Sequence, residues 1–544
     1  MNWKIRTEQV PKHLDELMTI LLKNRELDQE DDFFQPVHPS KISLTSVGLD
    51  EQQLQTALKR IKQAIKNEEE IVVFGDYDAD GVCATAVLWQ TLYRLKAKAV
   101  PFIPHREKHG YGLSAAALTD LLAVQQPRLI ITVDNGIVAH EPAQQIAAAG
   151  IDLIITDHHQ PEAELPPALA VVHTDQLCGT TVAWMLANQL ARSFDQNIND
   201  QLDLTGIATI ADQVLLKAAN RSFAYHGLAQ LQKSKKPGLL ALLSQAGINQ
   251  KDITSQTVGY AIAPRINAMG RLGHSLDALR LVLTNNAGRA AELAELLGST
   301  NNQRQELTYE MMADALSNSQ EWREEHLIIA ASADYHEGVI GLIAGRLVER
   351  FYKPAIAMSI SEKTVKASAR SIPGVNIIEL IRQVKADLLE VGGHPMAAGF
   401  GFETTKLELV TTKLRQLAKE QIDQSLLQPS LEVDLVLPEE LLTLATADAV
   451  QQLAPFGSGN AEPVFGIKEV ELLEVMTVGK EKQHLKLVGR VGESVQPINF
   501  LAWRKGELAQ KLSAGDKVDI AGVLEINEWR HRTSLQVRVV DIVL

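Results

Sequence analysis

Short runs of continuously apolar residues alternate with stretches of helical spacing over the first two hundred positions. Residues 71–74, 99–103, 129–133, 153–156 and 170–172 predict strands, and 84–95 and 141–149 predict helices between them. Runs of four or five branched apolar residues mark strands buried on both faces, so this part of the chain predicts a parallel α/β sheet. Just upstream, Leu54, Leu58, Ile61 and Ile65 fall on one helical face. From about 203 to 325 helical spacing takes over, and 287–316 reads as one long amphipathic helix through Leu293, Leu296, Leu297, Leu307 and Met311, able to hold two domains apart. A second α/β unit begins at Leu327 and ends near Phe402. Beyond Glu432 the pattern turns to short strands at 464–473, 485–488, 498–502, 517–524 and 535–542, which predicts a small closed β-barrel. The expected divisions are a charged, solvated arm (1–45, most acidic at 28–32), a first α/β domain (46–220), a helical connector (221–325), a second α/β domain (326–428) and the barrel (429–544).

Composition narrows the class. At 544 residues the chain exceeds what one core supports, and 45% hydrophobic with 22% charged residues is the balance of a folded, soluble protein. No apolar run reaches the length of a membrane span, and the opening MNWKIRTEQVPKHL lacks an apolar core, so a cytoplasmic protein without membrane contact is expected. Cys83 and Cys178 are the only cysteines and show no pairing with other cysteines or histidines, which excludes a disulfide framework or a zinc cluster. The net charge of −14 argues against coating nucleic acid through the overall field. Any such contact is confined to a local groove.

The chemistry is concentrated where the first-domain strands end. The first runs into Asp76-Tyr77-Asp78-Ala79-Asp80-Gly81, the third into Asp134-Asn135-Gly136, and the fourth into Asp157-His158-His159. In open α/β sheets the carboxyl ends of the strands line one crevice, so these groups converge in space. Carboxylates brought together raise one another's pKa unless a cation neutralises them. Oxygen and imidazole donors without sulfur suit Mn²⁺ or Mg²⁺, and a pair of such ions about 3.5–4 Å apart is the usual device for phosphodiester hydrolysis. An EF-hand loop is the competing reading of the DxDxDG run, but its twelfth position is Val87, where calcium needs a bidentate Glu. Helix capping explains any single aspartate here. It accounts poorly for an Asp-His-His run.

These three motifs, in this order, resemble those of the DHH phosphoesterase superfamily, with Ile210-Ala211-Asp212-Gln213-Val214 as a fourth and Gly392-Gly393-His394-Pro395-Met396-Ala397-Ala398-Gly399 as the signature of the associated second domain, the DHHA1 type. Three further stretches, 264–272, 338–344 and 455–463, resemble the RecJ exonuclease branch, and the likeness runs over roughly 45–540. The resemblance implies a parallel-sheet DHH domain joined by a long helix to a DHHA1-type α/β domain, with a C-terminal OB-like barrel. It implies one or two Mn²⁺ or Mg²⁺ ions held by Asp78, Asp80, Asp134, His158 and Asp212, with Asp134 bridging and Asp76 either in the shell or ordering the turn. His159 would face the scissile phosphate, with Asp157 or His159 itself supporting His158, and His394 would close the cleft. Several members carry a ligating His where this chain has Phe74, and an Asn-Pro pair where it has His173-Thr174 in a shortened 172–178 segment.

A strand end needs fixed donors for its terminal phosphate, and Ser368, Arg370, Arg271 and Arg106 are the candidates. In the barrel, Lys480, Lys482, Lys486, Arg504 and Arg530 interleave with Trp503 and Trp529, as an oligonucleotide-binding surface would. By resemblance, the expected activity is a 5′ to 3′ exonuclease on single-stranded DNA in recombination and repair, working as a monomer with a single-stranded-DNA-binding protein and a repair helicase. The alternatives are a phosphodiesterase of short oligonucleotides or cyclic dinucleotides, and a catalytically weak DNA-binding scaffold.

Overall fold

In the computed structural model, which describes residues 2–27, 31–317, 319–492, 496–529 and 532–544, the chain opens with a strand, β1 (Asn2–Ile5), and a helix, α1 (Leu14–Asn24). The expectation of a solvated arm is corrected here. β1 pairs in parallel with residues 430–433, and α1 buries Leu17, Ile20, Leu21 and Leu22 in the core of the C-terminal unit. Apolar positions at helical spacing need a partner, and α1 finds one at the other end of the sequence. Of the acidic stretch, 28–30 and the side chains of Asp31 and Asp32 lie outside the described residues.

The predicted parallel sheet is present, built of β2 (Ile71–Phe74), β3 (Ala99–Phe102), β4 (Leu129–Val133), β5 (Asp152–Asp157) and β6 (Ala170–His173) in the order β3-β2-β4-β5-β6. Every residue of β2 and β4 is buried, as two-sided strands require. The chain goes from β2 to one neighbour, β3, and then back past it to β4, so the order reverses between β2 and β4 and opens a crevice at their carboxyl ends. Helix α2 (Ala79–Arg94) leaves that crevice directly after β2, α3 (Gly179–Arg192) starts in it after β6, and α4 (Leu202–Ala211) ends in it at Asp212.

Helix α5 (Ala263–Leu272) leads toward the long helix α6 (Ala287–Ser317). The first half of α6 buries Ala290, Leu293, Ala294 and Leu297 in the catalytic core, and its second half buries Met311, Met312 and Ala315 against the next unit. One rod therefore belongs to two cores, as its length predicts. The second unit is a mixed sheet of β7 (Ile328–Ser332), β8 (Ala355–Ile360), β9 (Thr364–Arg370), β10 (Glu390–His394) and β11 (Ala397–Glu403), ordered β10-β11-β9-β8-β7, with helix α7 (Ile340–Phe351) packed on β8 and β9. The last unit holds β12 (Ser430–Val433), β13 (Leu435–Val436), β14 (Phe465–Val478), β15 (His484–Arg490), β16 (Ile498–Ala502), β17 (Lys517–Trp529) and β18 (Arg532–Val543). Pairing of β14 with β17 closes the last five of these into a barrel. No described helix is long and apolar enough to cross a membrane.

Candidate metal centre and strand-end pocket

The strand-end acids come together at the crevice. After β2 the chain turns at Gly75, where an added Cβ would lie 1.8 Å from Thr85 Oγ1. Asp78 then caps α2, its Oδ1 accepting from the Gly81 N–H at 3.0 Å. Asp80, in the first turn of α2, accepts from the N–H groups of Gly179 and Thr180 at the start of α3, both at 2.7 Å. Two helix starts thus fix one carboxylate. Asp134 follows β4 in the left-handed backbone region, with φ of 63°, a conformation that surrounding packing must hold. Gly179 makes room for it, since a Cβ there would lie 2.2 Å from Asp134 Oδ1.

His158 closes the cluster. Its Nε2 lies 3.1 Å from Asp134 Oδ1 and 3.8 Å from both Asp80 Oδ2 and Asp212 Oδ2. Three sets of side chains, Asp80/His158/Asp212, Asp76/Asp78/Asp134 and Asp134/His158/His159, each present donor atoms within 4.8 Å of one another. Asp134 and His158 each belong to two of these sets. The chemistry fits divalent ions. Asp76 Oδ1 and Asp134 Oδ1 are buried with no hydrogen-bond partner among the described residues, and a buried carboxylate oxygen left so lacks a positive partner. Burial first, and then the neighbouring carboxylates, push Asp76, Asp78 and Asp134 upward and Asp212 up to about 9. A cation placed among them reverses both causes.

Asp157 has a different orientation from its neighbours. Its Oδ2 accepts from the Ile137 N–H at 2.9 Å and its Oδ1 from the His158 N–H and from His159 Nδ1, both at 2.7 Å. It therefore orients His159, and the expected support of the His158 ring is corrected. Burial opposes the charge on His159, but the bond to Asp157 and the charges of Asp157, Asp212 and Asp76 together outweigh it and raise the imidazole to about 9. Burial likewise opposes the charge on Asp157, and the bond and charge of His159 with the Ile137 and His159 N–H groups together hold it below the usual carboxylate range. Two neighbours complete this corner: Tyr111, which the sequence reading did not name, and His173, which it named only as a departure from the family pattern. Tyr111 places its hydroxyl 2.8 Å from His159 Nε2, and His173 Nε2 donates to the His159 carbonyl at 2.7 Å. The only signal for Tyr111 was the pair of flanking glycines, Gly110 and Gly112, both at positive φ. Phe74 turns its ring into the apolar layer, stacked on Phe102 with centroids 5.1 Å apart.

A cationic pocket is built from the second unit. Arg370 Nη1 donates to Ser368 Oγ at 3.2 Å, and both face Gly341 near the start of α7, where a Cβ would lie 3.0 Å from Arg370 Nη2. Arg271 donates to the Gly338 carbonyl at 2.9 Å. Burial, and then the charges of Arg106, Arg304 and Arg370, push Arg271 down to about 10. Mutually repelling arginines beside a helix N-terminus are suited to an anion. Arg106 lies over the Tyr77 ring, 5.3 Å from its centroid. His394 is exposed at the end of β10, with no hydrogen bond or ion pair to the acidic cluster among the described residues. Ala397 pairs with His394 on one side and Arg370 on the other, which sets His394 beside the cationic pocket instead.

In the barrel, Lys480 and Lys482 are exposed in the β14–β15 turn, Lys486 points from β15, and Trp503, half exposed, packs against His484 beside Arg504. None of these lines the cleft between barrel and catalytic unit among the described residues. Arg530 and the Trp529 side chain lie outside the described residues.

Residues 70–211 match the model of the DHH family, N-terminal domain, residues 324–420 that of the DHHA1 domain, and residues 433–541 that of the RecJ OB domain. Fold and site together define a metal-dependent phosphoesterase of the DHH type. The chain is 36% identical over 500 residues to the single-stranded-DNA-specific exonuclease RecJ of Bacillus subtilis, covering 90% of this chain and 63% of that protein. It is 30% identical over 522 residues to its Escherichia coli counterpart, covering 90% of each. The chain belongs to the RecJ family of single-stranded-DNA-specific exonucleases. Structures of Thermus thermophilus RecJ in complex with Mn²⁺ and with Mg²⁺ superpose with TM-scores of 0.84 and 0.79 at 28% and 27% identity. They cover 100% and 99% of this chain and 79% and 78% of theirs.

Proposed function

We propose that this protein removes mononucleotides from the 5′ end of single-stranded DNA, in recombination and repair, with Mn²⁺ or Mg²⁺ held at the carboxyl edge of the parallel sheet. The observation that carries this reading is the convergence of Asp76 and Asp78 on Asp134 and of Asp80 and Asp212 on His158, whose Nε2 lies 3.1 Å from Asp134 Oδ1. Asp80, His158 and Asp212 would hold one ion and Asp76 and Asp78 a second, with Asp134 placed to serve either, and Asp76 would stand in for a ligand at Phe74. Ions bound there would supply charge neutralisation at the scissile phosphodiester and a more acidic attacking water. His159, held protonated by Asp157, directs its Nε2–H at a phosphate oxygen once substrate displaces the Tyr111 hydroxyl. Ser368, Arg370, Arg271 and Arg106 take the terminal phosphate, and His394 flanks that pocket. Only a strand end then presents its first linkage to the ions.

The barrel and the interdomain cleft speak against a small cyclic substrate, and the retained donor set speaks against a scaffold without catalysis. The protein acts as a cytoplasmic monomer with a single-stranded-DNA-binding protein and a repair helicase in this reading, and sedimentation of the pure protein tests the monomer. The activity is tested on one strand labelled at either end, with Mn²⁺ or Mg²⁺. The 5′ label should appear first, as mononucleotide. Prior loss of the 3′ label, or an internal ladder, would overturn the assignment.

A further inference from the structure

A cleft of about 1510 Å³ separates the catalytic unit from the barrel. Ile210, Ala211 and Gln213, the sequence neighbours of Asp212, line it, and so does Arg271. Its charged lining is balanced among the described residues: Arg271, Arg304 and Arg538 stand against Glu349, Glu462 and Glu525. Arg538 is moreover paired with both Glu462 and Glu525. A neutral channel cannot hold a polyanion through its phosphates, because that attraction requires an excess of cationic side chains. What the cleft does offer is exposed ring and apolar surface.

Tyr260 is the largest part of it, 81% exposed. It sits on a π-helical turn, Val258–Ile262, directly before α5. Val258 and Ile262 are buried on the core side, so the turn is anchored at both ends while the phenol is carried outward. Gly259 beside it faces open space, with no atom within 4 Å of an added Cβ. Single π turns are rare and recur at functional positions, since regular helix is the more stable alternative. Across the cleft, Tyr225 and Ile526 are 40% and 38% exposed.

We propose that Tyr260 is a base-stacking station that grips the single strand downstream of the cleaved end, in a channel whose neutral walls let the phosphates slide. The proposal rests on the strand-degrading reading above and adds to it how the strand is held. Stacking tolerates any base, because every base has a π face, and it contributes no counterion release. The salt-dependent part of binding then resides in the terminal-phosphate arginines and the Lys480–Lys482 turn of the barrel.

The test compares Tyr260→Ala and Tyr260→Phe with the wild type on a 5′-phosphorylated strand of about 40 nucleotides and on a trimer, at several salt concentrations. Tyr260→Ala should lose roughly tenfold more kcat/KM on the long strand than on the trimer, the loss expected for one stacked base. The slope of log affinity against log salt should stay at its wild-type value, and Tyr260→Phe should restore long-strand turnover. Equal loss on both substrates, a flatter salt slope, or no rescue by Phe would overturn the proposal. The activity reading is judged separately, by whether the wild type releases nucleotides from the long strand at all.

Discussion

At Asp134, a side chain that function requires is one that stability disfavours. Its Oδ1 is buried and makes no hydrogen bond among the described residues, and its backbone is held at a φ of 63°. Asp134→Asn keeps the shape and removes the charge, so Mn²⁺-dependent hydrolysis should vanish while the metal-free protein melts about 2–4 °C higher. The same repulsion sets a pH dependence. Asp212, raised by burial and by Asp80 and Asp78 to about 9, keeps when folded a proton that it releases when unfolded, so the folded state binds more protons between about pH 4 and 9. Stability of the metal-free protein therefore falls as pH rises through that window. Mn²⁺ relieves the repulsion, so its lift in Tm should be larger at about pH 8.5 than at about pH 5.5, and melts with Mn²⁺ or EDTA at both values check this. Asp157 gives a contrasting case. Because it bonds His159 and not the cluster, Asp157→Asn should lower kcat by about 10–100-fold with little change in Mn²⁺ affinity by calorimetry. The acids after β2, β4 and β5 and His158 were legible because they follow apolar runs, which fixes their place at a sheet edge, whereas Asp212, at the end of helix α4, was read only from the family resemblance. Tyr111 was not legible, since a loop residue between glycines carries no periodic signal, and His173, the last residue of β6, was noted as a departure from the family pattern and not for its bond to His159.

Among the elements, the parallel strands were legible within a residue or two, because burial on both faces leaves an uninterrupted apolar run. Boundaries failed where a functional residue also caps or bends the chain. Helix α2 starts at Ala79, ahead of the expected 84, because Asp78 caps it and Gly81 is tolerated where its lack of a side chain keeps clear of the Asp76 backbone. Strand β14 runs on to Val478, past the expected 473, because register shifts at Ile467/Val470 and Leu472/Glu474 break the alternation without ending the strand. The strand-end pocket is likewise assembled between elements, from β9 and the start of α7. A planar guanidinium beside Ser368 suits a phosphate better than an ammonium does. Arg370→Ala should therefore cut the preference for a 5′-phosphorylated over a 5′-hydroxyl strand by about tenfold, one charge-assisted contact, with Arg370→Lys restoring little of it. Parallel kinetics on the two strands measure this, and an unchanged preference would remove Arg370 from the pocket.

Across the whole molecule, the ends of the chain are joined in a way that no local pattern reveals. β1 adds to β12, α1 fills the barrel-side core, and the junction with the catalytic unit is held by Arg221. That side chain is buried, donates from Nε to the Phe33 carbonyl at 2.8 Å and from Nη2 to the Ala454 carbonyl at 2.7 Å, and lies 3.6 Å from the centroid of the Phe33 ring. Burial pushes Arg221 down to about 10, so it remains charged at neutral pH, and its Nε and Nη2 donate to carbonyl groups. One cation thereby joins the N-terminal segment, the helical connector and the barrel unit. Arg221→Met retains much of the apolar stem and leaves both carbonyls unpaired, a loss of about 2–4 kcal/mol from two buried hydrogen bonds. Because the residue stands at a junction and not at the metal centre, Tm should fall and limited proteolysis should open the chain near Phe33 or Ala454, while the affinity of the folded fraction for Mn²⁺ stays at the wild-type value. A variant that melts and digests like the wild type would mean that the barrel is held on the catalytic unit by its apolar contacts alone.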